Sequence, residues 1–465
     1  MQILGSRSIC AGLLYILALG QQVSGLQLVA TSEESIKDAA STATYAMMTY
    51  YTGNETGGIP GAFPSKWWEG SALLLALLNY WHFTGDDTYN EELSVALQWQ
   101  SGTNGDYMPT NYSSFLGNDD QMFWGLSAMT AVEYKLPDRP TGFSWLSLAQ
   151  GVFNTQKARW DTTMCGGGLR WQIYVYEGTG YYMKNAVSNG GFFQLAARLY
   201  RYTGDETYYT WAKKTWEWSC SVPLVNNNTW TISDSTNGQE QCANGDQVQW
   251  TYNYGVYFGG CAYLYAKTGD EYWLNCTTGL LNTLWSTFFT EKNNYIISDW
   301  ECETATTAAG QCNNNEVLFK GLVASWLAQT ALLIPSLYDE ILSKLQASGQ
   351  GAANSCSGNG NSTCGIRWTT GSWDGEQGME EEISASNAFS VQMLPWVNGT
   401  QDAPPVTSTT GGNSSSDVNA GENENAGSAA TSTPITTGDK AGAGILTVVF
   451  VGGLVGMASF MFLGA

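Results

Sequence analysis

A short phrase that occurs three times along this chain restricts the folds available to it. Residues 81–86 read Trp-His-Phe-Thr-Gly-Asp, and residues 200–205 and 265–270 repeat the leading aromatic residue and the Thr-Gly-Asp ending. Glycine is favoured at the left-handed position that ends a helix, and aspartate is a good N-cap for the helix that follows. Each copy therefore predicts a tight turn between two helices.

The apolar residues on either side of these turns recur at helical spacing, whereas alternating strand patterns are scarce. In each consecutive pair of predicted helices the second is the more continuously apolar, as in Leu73 to Leu78, so we expect it to be the inner one. The inner helices begin at steps of 66, 68 and 66 residues, from Asp119 to Asn185, Asn253 and Phe319. The sequence therefore predicts an all-α fold, an (α/α)6 barrel of six helical hairpins. The twelve predicted helices lie near residues 32–51, 66–83, 87–101, 118–135, 143–160, 185–202, 206–220, 250–267, 269–289, 316–333, 335–347 and 386–396.

The inner helices of such a barrel all run the same way. Their N-termini, with free N–H groups and positive dipole ends, therefore gather at one end. Polar and aromatic side chains converge there on a predicted binding site. The side chains nearest the predicted starts are Trp67, Trp68, Asp119, Asp120, Lys184, Asn185, Asn189, Tyr252, Asn253, Asn315, Glu316, Ser386 and Asn387.

Two adjacent carboxylates, Asp119 and Asp120, stand at the start of one inner helix, directly after Gly117 and Asn118. One interpretation is that they cap the helix and complement its dipole, which is worth roughly 0.3–1 kcal/mol each. One aspartate suffices for that, and two like charges oppose each other unless one is protonated or held by another group. Successive helical side chains diverge by about 100°. The two carboxyl groups could therefore flank one bond about 5–5.5 Å apart, as the acid pair of a retaining glycosidase does.

Composition excludes several classes of function. The net charge is −22 with only 13% charged residues, so the acidic surface lacks the basic patches that nucleic acids and anionic lipids require. The single histidine, His82, lies beside a turn, which argues against a Ser-His-Asp or Cys-His centre. No phosphate-binding loop, dinucleotide fingerprint or CxxC pair occurs, and we expect no metal or cofactor. Carboxylates, amides and abundant aromatics remain, a set that suits the binding and cleavage of a neutral sugar polymer.

Both ends of the chain have the pattern of processing signals. Residues 1–25 have a basic residue, an apolar core and small residues at the exit, as a secretory signal peptide does. The folded domain is expected to span residues 26–400. Residues 401–442 are rich in Ser, Thr, Gly and Asn and are predicted to be disordered, and residues 443–465 are an apolar tail. That order predicts attachment of a glycosylphosphatidylinositol (GPI) anchor between Asn425 and Gly442 and removal of the tail, with a tail-anchored transmembrane helix as the alternative.

Secretion also makes the Asn-x-Ser/Thr sites candidates for N-glycosylation. Seven such sites occur, at Asn54, Asn111, Asn227, Asn275, Asn361, Asn398 and Asn413.

The cysteines suggest a disulfide-bonded secreted protein. Cys302 with Cys312 and Cys356 with Cys364 are predicted to close short loops, and Cys220 with Cys242 is predicted as a third disulfide. Removal of Cys10 with the signal peptide leaves Cys165, Cys261 and Cys276 besides these pairs, so at least one of them must be unpaired within the chain.

Five segments, in chain order, resemble glycoside hydrolase family 76, the endo-α-1,6-mannanases. They are Trp67-Trp68, Asn118 to Asp120, Cys165 to Trp171, Lys184 to Gly190 and Trp250 to Gly255. The resemblance covers about residues 30–400. Together with the two processed ends, it points to the fungal cell-wall members of the family.

The resemblance implies that Asp119 is the nucleophile that attacks the anomeric carbon of an α-1,6-linked mannose. It implies that Asp120 is the general acid and then the general base. Asp119 must then stay ionised, while the neighbouring charge and desolvation raise the pKa of Asp120. Asp234 loosely matches a substrate-binding acid of the family. The other predicted substrate-binding residues, with core packing or helix capping as their alternative role, are Trp67, Trp171, Lys184, Asn185, Asn189, Tyr252 and Asn253.

The predicted function is that of a retaining, endo-acting α-1,6-mannosidase or transglycosidase, held by a lipid anchor at the outer face of the plasma membrane and in the cell wall. The donor would be α-1,6-mannan or the mannose of a GPI glycan. Wall glucan is a possible acceptor, since a tethered enzyme meets nearby glycans at high effective concentration. The alternative is a non-catalytic, mannan-binding scaffold protein, which would have no reason to keep the Asp119–Asp120 pair.

Overall fold

The computed structural model describes residues 25–63, 65–306, 311–397 and 404–422. Helices dominate this part of the chain. They are α1 (Glu33–Tyr50), α2 (Trp67–Thr84), α3 (Asn90–Trp99), α4 (Asn118–Glu133), α5 (Trp145–Ala158), α6 (Thr179–Tyr182), α7 (Ala186–Thr203), α8 (Glu206–Ser221), α9 (Thr251–Thr268), α10 (Glu271–Phe288), α11 (Trp300–Glu303), α12 (Asn314–Leu333), α13 (Tyr338–Ser355), α14 (Met379–Ser390) and α15 (Leu394–Val397). The short strands are β1 (Met183–Asn185), β2 (Val225–Asn226), β3 (Thr231–Ile232) and β4 (Ser235–Asn237).

Six of the helices form a closed inner ring. In the order α2, α4, α7, α9, α12 and α14, each packs against the next, and α14 packs against α2. The long helices α1, α3, α5, α8, α10 and α13 pack outside this ring. The predicted (α/α)6 barrel is confirmed.

The helices that were predicted to be inner ones from their apolar content are also the more completely buried, as α2 and α1 illustrate. In α2, 16 of the 18 residues are buried, whereas the outer helix α1 buries only one face. An α-helix that is apolar on all sides has to lie in a core, because only there are all its faces removed from water. The inner ring is therefore the hydrophobic core of the domain.

All three Thr-Gly-Asp turns contain the predicted left-handed glycine, but only two of the aspartates are N-caps, since the N-cap of α3 is Tyr89 and not Asp86. Gly85, Gly204 and Gly269 end inner helices with φ of 78°, 77° and 66°, which glycine adopts without strain. Asp205 and Asp270 cap α8 and α10 by accepting a hydrogen bond from the backbone N–H two residues later. Each copy is a turn from an inner helix to the next outer one.

A buried ion pair joins the inner helices at the end where α4 finishes. Arg198 of α7 lies 2.6 Å from Glu133, and both side chains are fully buried. The Tyr263 hydroxyl of α9 donates to the same carboxylate at 2.7 Å. Loss of one partner would leave a buried charge uncompensated, at a cost of about 3–5 kcal/mol. This network fixes α4, α7 and α9 relative to one another.

The strands are short, but one pair positions the site. β1 pairs antiparallel with β4, with Asn185 opposite Ser235. Asn185 is both the last residue of β1 and the N-cap of α7, and Asp234 directly precedes β4. The pairing therefore places Asn185 and Asp234 on neighbouring segments at the N-terminal end of α7.

Two of the three predicted disulfides are confirmed, Cys302–Cys312 and Cys356–Cys364. The prediction of Cys220–Cys242 is wrong, because Cys242 is bonded to Cys165 across 77 residues. Cys220 is a free thiol, as are Cys261 and Cys276. The prediction paired Cys242 with Cys220 because Cys220 is nearer along the chain. In the structure the loop after α5 folds back and brings Cys165 to Cys242.

The last inner helix begins earlier than predicted. α14 starts at Met379, not near 386, and its first turn contains Glu380, Glu381 and Glu382, all buried. Three consecutive glutamates have the sequence pattern of a solvated loop. The structure instead buries them at the start of α14, which packs against α1, α2 and α12, and Asn314 of α12 donates to Glu380.

The Ser/Thr-rich tract differs from the prediction over residues 404–422. This segment packs on the barrel through hydrogen bonds to α4, α5 and α7, although residues 401–442 were predicted to be disordered. The predicted signal peptide, the rest of that tract and the apolar tail lie outside the described residues. So does Asn398, whereas the other candidate glycosylation sites, Asn54, Asn111, Asn227, Asn275, Asn361 and Asn413, are all exposed.

Candidate active site

A cleft of about 730 Å³ opens at the end of the barrel where the inner helices begin. The first turns of α2, α4, α9 and α12 line it, together with Asn185 at the start of α7. The positive dipole ends and free N–H groups of these helices therefore face the same space, as the parallel arrangement of inner helices predicts.

The start of α4 is held rigidly. The Asn118 backbone N–H donates to the Trp171 carbonyl at 2.8 Å, and its side-chain amide donates to the Arg170 carbonyl at 2.8 Å. The Asn118 carbonyl accepts from Gln156 of α5 at 2.6 Å. These bonds fix the backbone that carries the next two residues, Asp119 and Asp120.

Both aspartates line the cleft and are partly buried. Asp120 accepts from the Gly117 N–H at 2.6 Å, which completes a capping arrangement at the helix start. Asp119 accepts from its neighbour's backbone N–H at 3.0 Å and from the side-chain amide of Asn185 at 3.2 Å. Each carboxyl group is thus oriented by donors from a different part of the cleft.

Burial controls the protonation of this pair. It raises the pKa of Asp119 well above the ordinary value, and the charge of Asp120 adds to the rise, while the Asn185 hydrogen bond opposes it. Burial raises the pKa of Asp120 to about 6, although the hydrogen bond from the Gly117 N–H and the positive charge of Lys66 both act to lower it. The two groups therefore titrate as a pair that holds one proton over an intermediate pH range. The expectation that Asp119 is the ionised member of the pair stays a prediction.

Aromatic rings form the walls of the cleft. Trp67 stacks on Trp124 at 5.0 Å between ring centroids and on Tyr112 at 5.8 Å. On the opposite wall Tyr252 stacks on Phe319 at 3.7 Å. Rings held in place by other rings lose little entropy on binding, so they are suitable platforms for the apolar face of a sugar ring.

Five of the predicted substrate-binding residues line the cleft, namely Trp67, Trp171, Asn185, Asp234 and Tyr252. Asp234 accepts from the side-chain amide of Asn253 at 2.8 Å. Burial raises the pKa of Asp234, and the Asn253 hydrogen bond opposes the rise. Asn253 itself is fully buried, so it orients Asp234 and does not line the cleft.

Lys184 and Asn189 do not reach the cleft, contrary to the prediction. Lys184 is fully buried, its ammonium forms an ion pair with Asp161 at 3.0 Å, and it donates to backbone carbonyls of the loop that contains Gly167. Asn189 bonds both the N–H and the carbonyl of Leu169. Both side chains hold the 161–171 loop in place, and thereby position Trp171.

The sequence prediction missed several residues of the cleft. Lys66 precedes the predicted Trp67-Trp68 segment and supplies a positive charge beside Asp120. Tyr112 and Phe115 come from the loop before α4, whose irregular sequence has no periodicity to place it. Glu316, which the sequence places at a helix start without a role, also lines the cleft, and burial raises its pKa.

The arrangement defines a class of enzyme. Two adjacent carboxyls lie in a cleft with aromatic walls and amide donors, and the one histidine, His82, is stacked on Tyr134 away from it. One carboxyl group as nucleophile and one as proton donor are what a glycoside hydrolase needs. The chemistry of the site is that of a glycoside hydrolase.

Comparisons with known proteins agree with this class. Residues 35–407 match the model of glycosyl hydrolase family 76. Mannan endo-1,6-alpha-mannosidase DCW1 of Saccharomyces cerevisiae is 41% identical over 94% of this chain and 95% of its own. Mannan endo-1,6-alpha-mannosidase DFG5 of Candida albicans is 36% identical over 96% of this chain and 97% of its own. The chain belongs to glycosyl hydrolase family 76.

Solved structures share the fold. The crystal structure of Dfg5 from Chaetomium thermophilum in complex with glucosamine is 36% identical, with a TM-score of 0.79 over 85% of this chain and 97% of that one. An inactive variant of the α-1,6-mannanase GH76A from Salegentibacter sp. HEL1_6, with two consecutive aspartates replaced by asparagine, was solved with α-1,6-mannotriose. It has a TM-score of 0.61 over 77% of this chain and 99% of that one, but is only 19% identical, which shows the fold alone.

Proposed function

We propose that this enzyme is a retaining, endo-acting α-1,6-mannosidase or transglycosidase. The observation that carries the proposal is the adjacent pair of carboxyl groups, Asp119 and Asp120, that lines the cleft. The relatives named mannan endo-1,6-alpha-mannosidase supply the substrate class, and they align over nearly the whole chain.

Asp119 acts as the nucleophile and Asp120 as the general acid. Asp120 protonates the leaving glycosidic oxygen while Asp119 attacks the anomeric carbon, giving a covalent mannosyl-enzyme, and Asp120 then deprotonates the incoming hydroxyl. This cycle needs the proton on Asp120 and the negative charge on Asp119. The Asn185 amide supports this distribution because its hydrogen bond favours a charged Asp119.

The cleft lining accounts for sugar recognition. Trp67 and Tyr252 offer stacked ring faces on opposite walls, and Asp234 and Glu316 offer oxygens that accept from sugar hydroxyls. A volume of about 730 Å³ lies within the usual range for small-ligand sites, roughly 300–1,000 Å³. Truncation of either ring should raise KM for longer α-1,6-mannosides.

The first test separates the enzyme from a non-catalytic mannan-binding scaffold. Asp119→Asn and Asp120→Asn should each lower turnover of α-1,6-mannotetraose by at least about 10²–10⁴-fold, since each removes a group that acts on the reacting atoms. Binding of α-1,6-mannotriose and the melting temperature should stay close to wild type. Asp87→Asn, at an exposed carboxylate in the turn before α3, is the matched control. Full activity in both active-site variants would support the scaffold.

A substrate whose leaving group needs no proton distinguishes the roles of the two aspartates. An aryl α-mannoside has a leaving group that needs no proton, so it should restore the first chemical step in Asp120→Asn but not in Asp119→Asn. Restoration in Asp119→Asn alone would reverse the two assignments.

We further propose that the enzyme is secreted and held at the outer face of the plasma membrane or in the wall by a GPI anchor. The sequence supports this through the predicted signal peptide, the small-residue tract and the apolar tail of residues 443–465. Phosphatidylinositol-specific phospholipase C should release the protein from membranes. Recovery of residues 443–465 in the membrane-bound protein would favour a spanning helix instead.

Transfer to a sugar hydroxyl is proposed as the physiological second step, with hydrolysis as the alternative. The donor would be α-1,6-mannan or the mannose of a GPI glycan and the acceptor wall glucan, which would cross-link anchored proteins to the wall. Tethering favours nearby glycan acceptors over dilute ones without any new contact. Purified enzyme incubated with a mannan-type donor and a labelled glucan should join label to donor. Free reducing ends alone would show hydrolysis.

A further inference from the structure

The segment of residues 404–422, called here the C-terminal strap, begins at the end of the barrel opposite the cleft. The Val406 N–H donates to the carbonyl of Glu133, the last residue of α4, at 3.0 Å. The Ser408 N–H donates to the Tyr202 carbonyl near the end of α7 at 3.1 Å. Since α4 and α7 begin at the cleft and end at these residues, the strap starts about one helix length from the catalytic pair.

The strap then follows the outer helix α5 towards the cleft. Its Ser414 hydroxyl accepts from the Leu146 N–H in the first turn of α5 at 3.0 Å. The Asp417 N–H donates to Gln150 at 2.8 Å. Asn154 donates to the carbonyls of Val418 and Ala420 at 2.9 and 3.0 Å. Glu422 ends the described segment in an ion pair of 3.3 Å with Lys157, in the last turn of α5. α5 has 14 residues, so the strap climbs about 20 Å.

The upper end of the strap is level with the catalytic residues. Gln156, next to Lys157, donates to the carbonyl of Asn118, which directly precedes Asp119. Gly421 packs against the backbone of Gly151 and the side chain of Asp106. The carbonyl of Asp106 accepts from Gln121, the residue after Asp120. The chain therefore leaves the described structure at the catalytic end of the barrel.

The outer helix is adapted to receive the strap. Gln150 and Asn154 are 0% and 5% exposed, although they lie on an outer helix. The side-chain oxygen of Gln150 and the amide of Asn154 find their partners in the strap. Without the strap these buried groups would lose those hydrogen bonds, which costs stability. The contact is therefore a specific attachment of a segment whose composition alone predicts disorder.

We propose that the C-terminal strap fixes the exit of the membrane tether at the catalytic end, so that the cleft opens towards the surface that holds the enzyme. The proposal rests on the anchoring described under the proposed function. Twenty residues, 423–442, separate the strap from the apolar segment and can span at most about 70 Å. With the strap released, 39 residues, 404–442, would leave from the opposite end of the barrel.

The consequence is a preference for donors on the same surface. The effective concentration of a tethered partner falls roughly as the −3/2 power of tether length. Nearly doubling the tether should therefore lower the rate on a surface-bound donor about threefold, and turning the cleft away from the surface should lower it further. The rate on a donor in free solution should not change, because the strap contacts none of the residues that line the cleft.

The experiment uses the full chain on membranes and compares two donors. One is α-1,6-mannotetraose linked to a lipid in the same membrane, and the other is free α-1,6-mannotetraose. The test variant, Gln150→Ala with Asn154→Ala, removes amides that hold the strap. The matched control is Tyr208→Phe, which removes another partner of Gln150, at 2.9 Å, and leaves the strap bonds in place. Cleavage by a Glu-specific protease after Glu422 reports release of the strap.

The double variant frees the strap from Ser416 onward, while Ser414 and Ser415 stay bonded to Leu146 and Asp138, so the tether grows from 20 to 27 residues, 416–442. It should be cleaved faster than wild type and should lose at least about 1.6-fold in the ratio of lipid-linked to free rates, with the free rate kept. Tyr208→Phe should keep wild-type cleavage and ratio. An unchanged ratio in the released variant, or unchanged cleavage in the double variant, would overturn the inference. Absence of turnover on the free donor in the wild-type enzyme, or its absence from membranes, would instead refute the proposed function.

Discussion

Gly117 lies at the N-cap of α4, directly against both catalytic carboxyls, and its replacement by alanine tests whether their placement sets the rate. A Cβ atom at this position would stand 2.2 Å from an Asp119 carboxylate oxygen and 3.1 Å from an Asp120 oxygen. Relief of the shorter contact requires Asp119 to move by about 1 Å. A displacement of about 1 Å in a reacting group costs on the order of 10²-fold in rate. We therefore expect kcat of Gly117→Ala on α-1,6-mannotetraose to fall by about 100-fold.

The fold should tolerate this change. Gly117 has φ −82° and ψ 164°, a region that alanine adopts freely, so no backbone strain arises. Loss of a favourable N-cap residue should cost about 1 kcal/mol at most. The circular dichroism spectrum should be unchanged and the melting temperature should fall by only a few degrees.

Gly85→Ala is the matched control. Gly85 ends α2 with φ of 78°, and a Cβ atom there would meet no other atom within 4 Å. A left-handed alanine costs about 1–2 kcal/mol, so this variant should lose stability and keep its kcat. Wild-type kcat in a folded Gly117→Ala enzyme would refute the view that the positions of the two carboxyls limit turnover.

Three further predictions concern the pair's amide donor, the corrected disulfide and the buried carboxyls. Asn185→Ala should raise the pKa of Asp119 further and lower kcat/KM by about 10-fold or more, with the acid limb of the pH–rate profile moved to higher pH. Cys242→Ser should lower the free energy of unfolding by about 4 kcal/mol, because it opens a 77-residue loop, whereas Cys220→Ser should leave denaturant unfolding nearly unchanged. Burial raises the pKa of Glu69 from its ordinary 4.5 to about 8, so between these values the folded state binds more protons than the unfolded state. The free energy of unfolding should therefore fall as the pH rises from 5 to 8, and Glu69→Gln should flatten that dependence in thermal melts.

The sequence predicted the barrel because local chemistry and apolar content agreed. Thr-Gly-Asp places the left-handed glycine at each of the three turns and the N-cap at two of them, and continuous apolar runs mark the helices that lie inside. The start of α14 was misplaced for the opposite reason. Its first turn is a run of glutamates, and nothing in a run of charges shows that the neighbouring helices bury it.

The sequence predicted only the part of the site whose residues are adjacent along the chain. Asp119 and Asp120 stand out because two carboxylates at one helix start are unusual. The roles of Lys184 and Asn189 depend on carbonyls of the preceding loop, at Gly167 and Leu169, which no helical spacing reveals. The strap escaped prediction because hydrogen bonds from α5, and not burial of large apolar side chains, hold it in place.

The scaffold and the catalytic pair depend on protons in overlapping pH ranges. Burial raises the pKa of Asp299 and of Glu382 to about 7, so these groups are neutral in a mildly acidic medium and add no buried charge. The pair needs one proton between its two carboxyls. At low pH both carboxyls are protonated and the nucleophile is lost, whereas at high pH both are ionised and the acid is lost. On the alkaline side, turnover and stability therefore decline together, but for different reasons. The loss of turnover comes from the carboxyls at the start of α4, and the loss of stability from those buried between the helices.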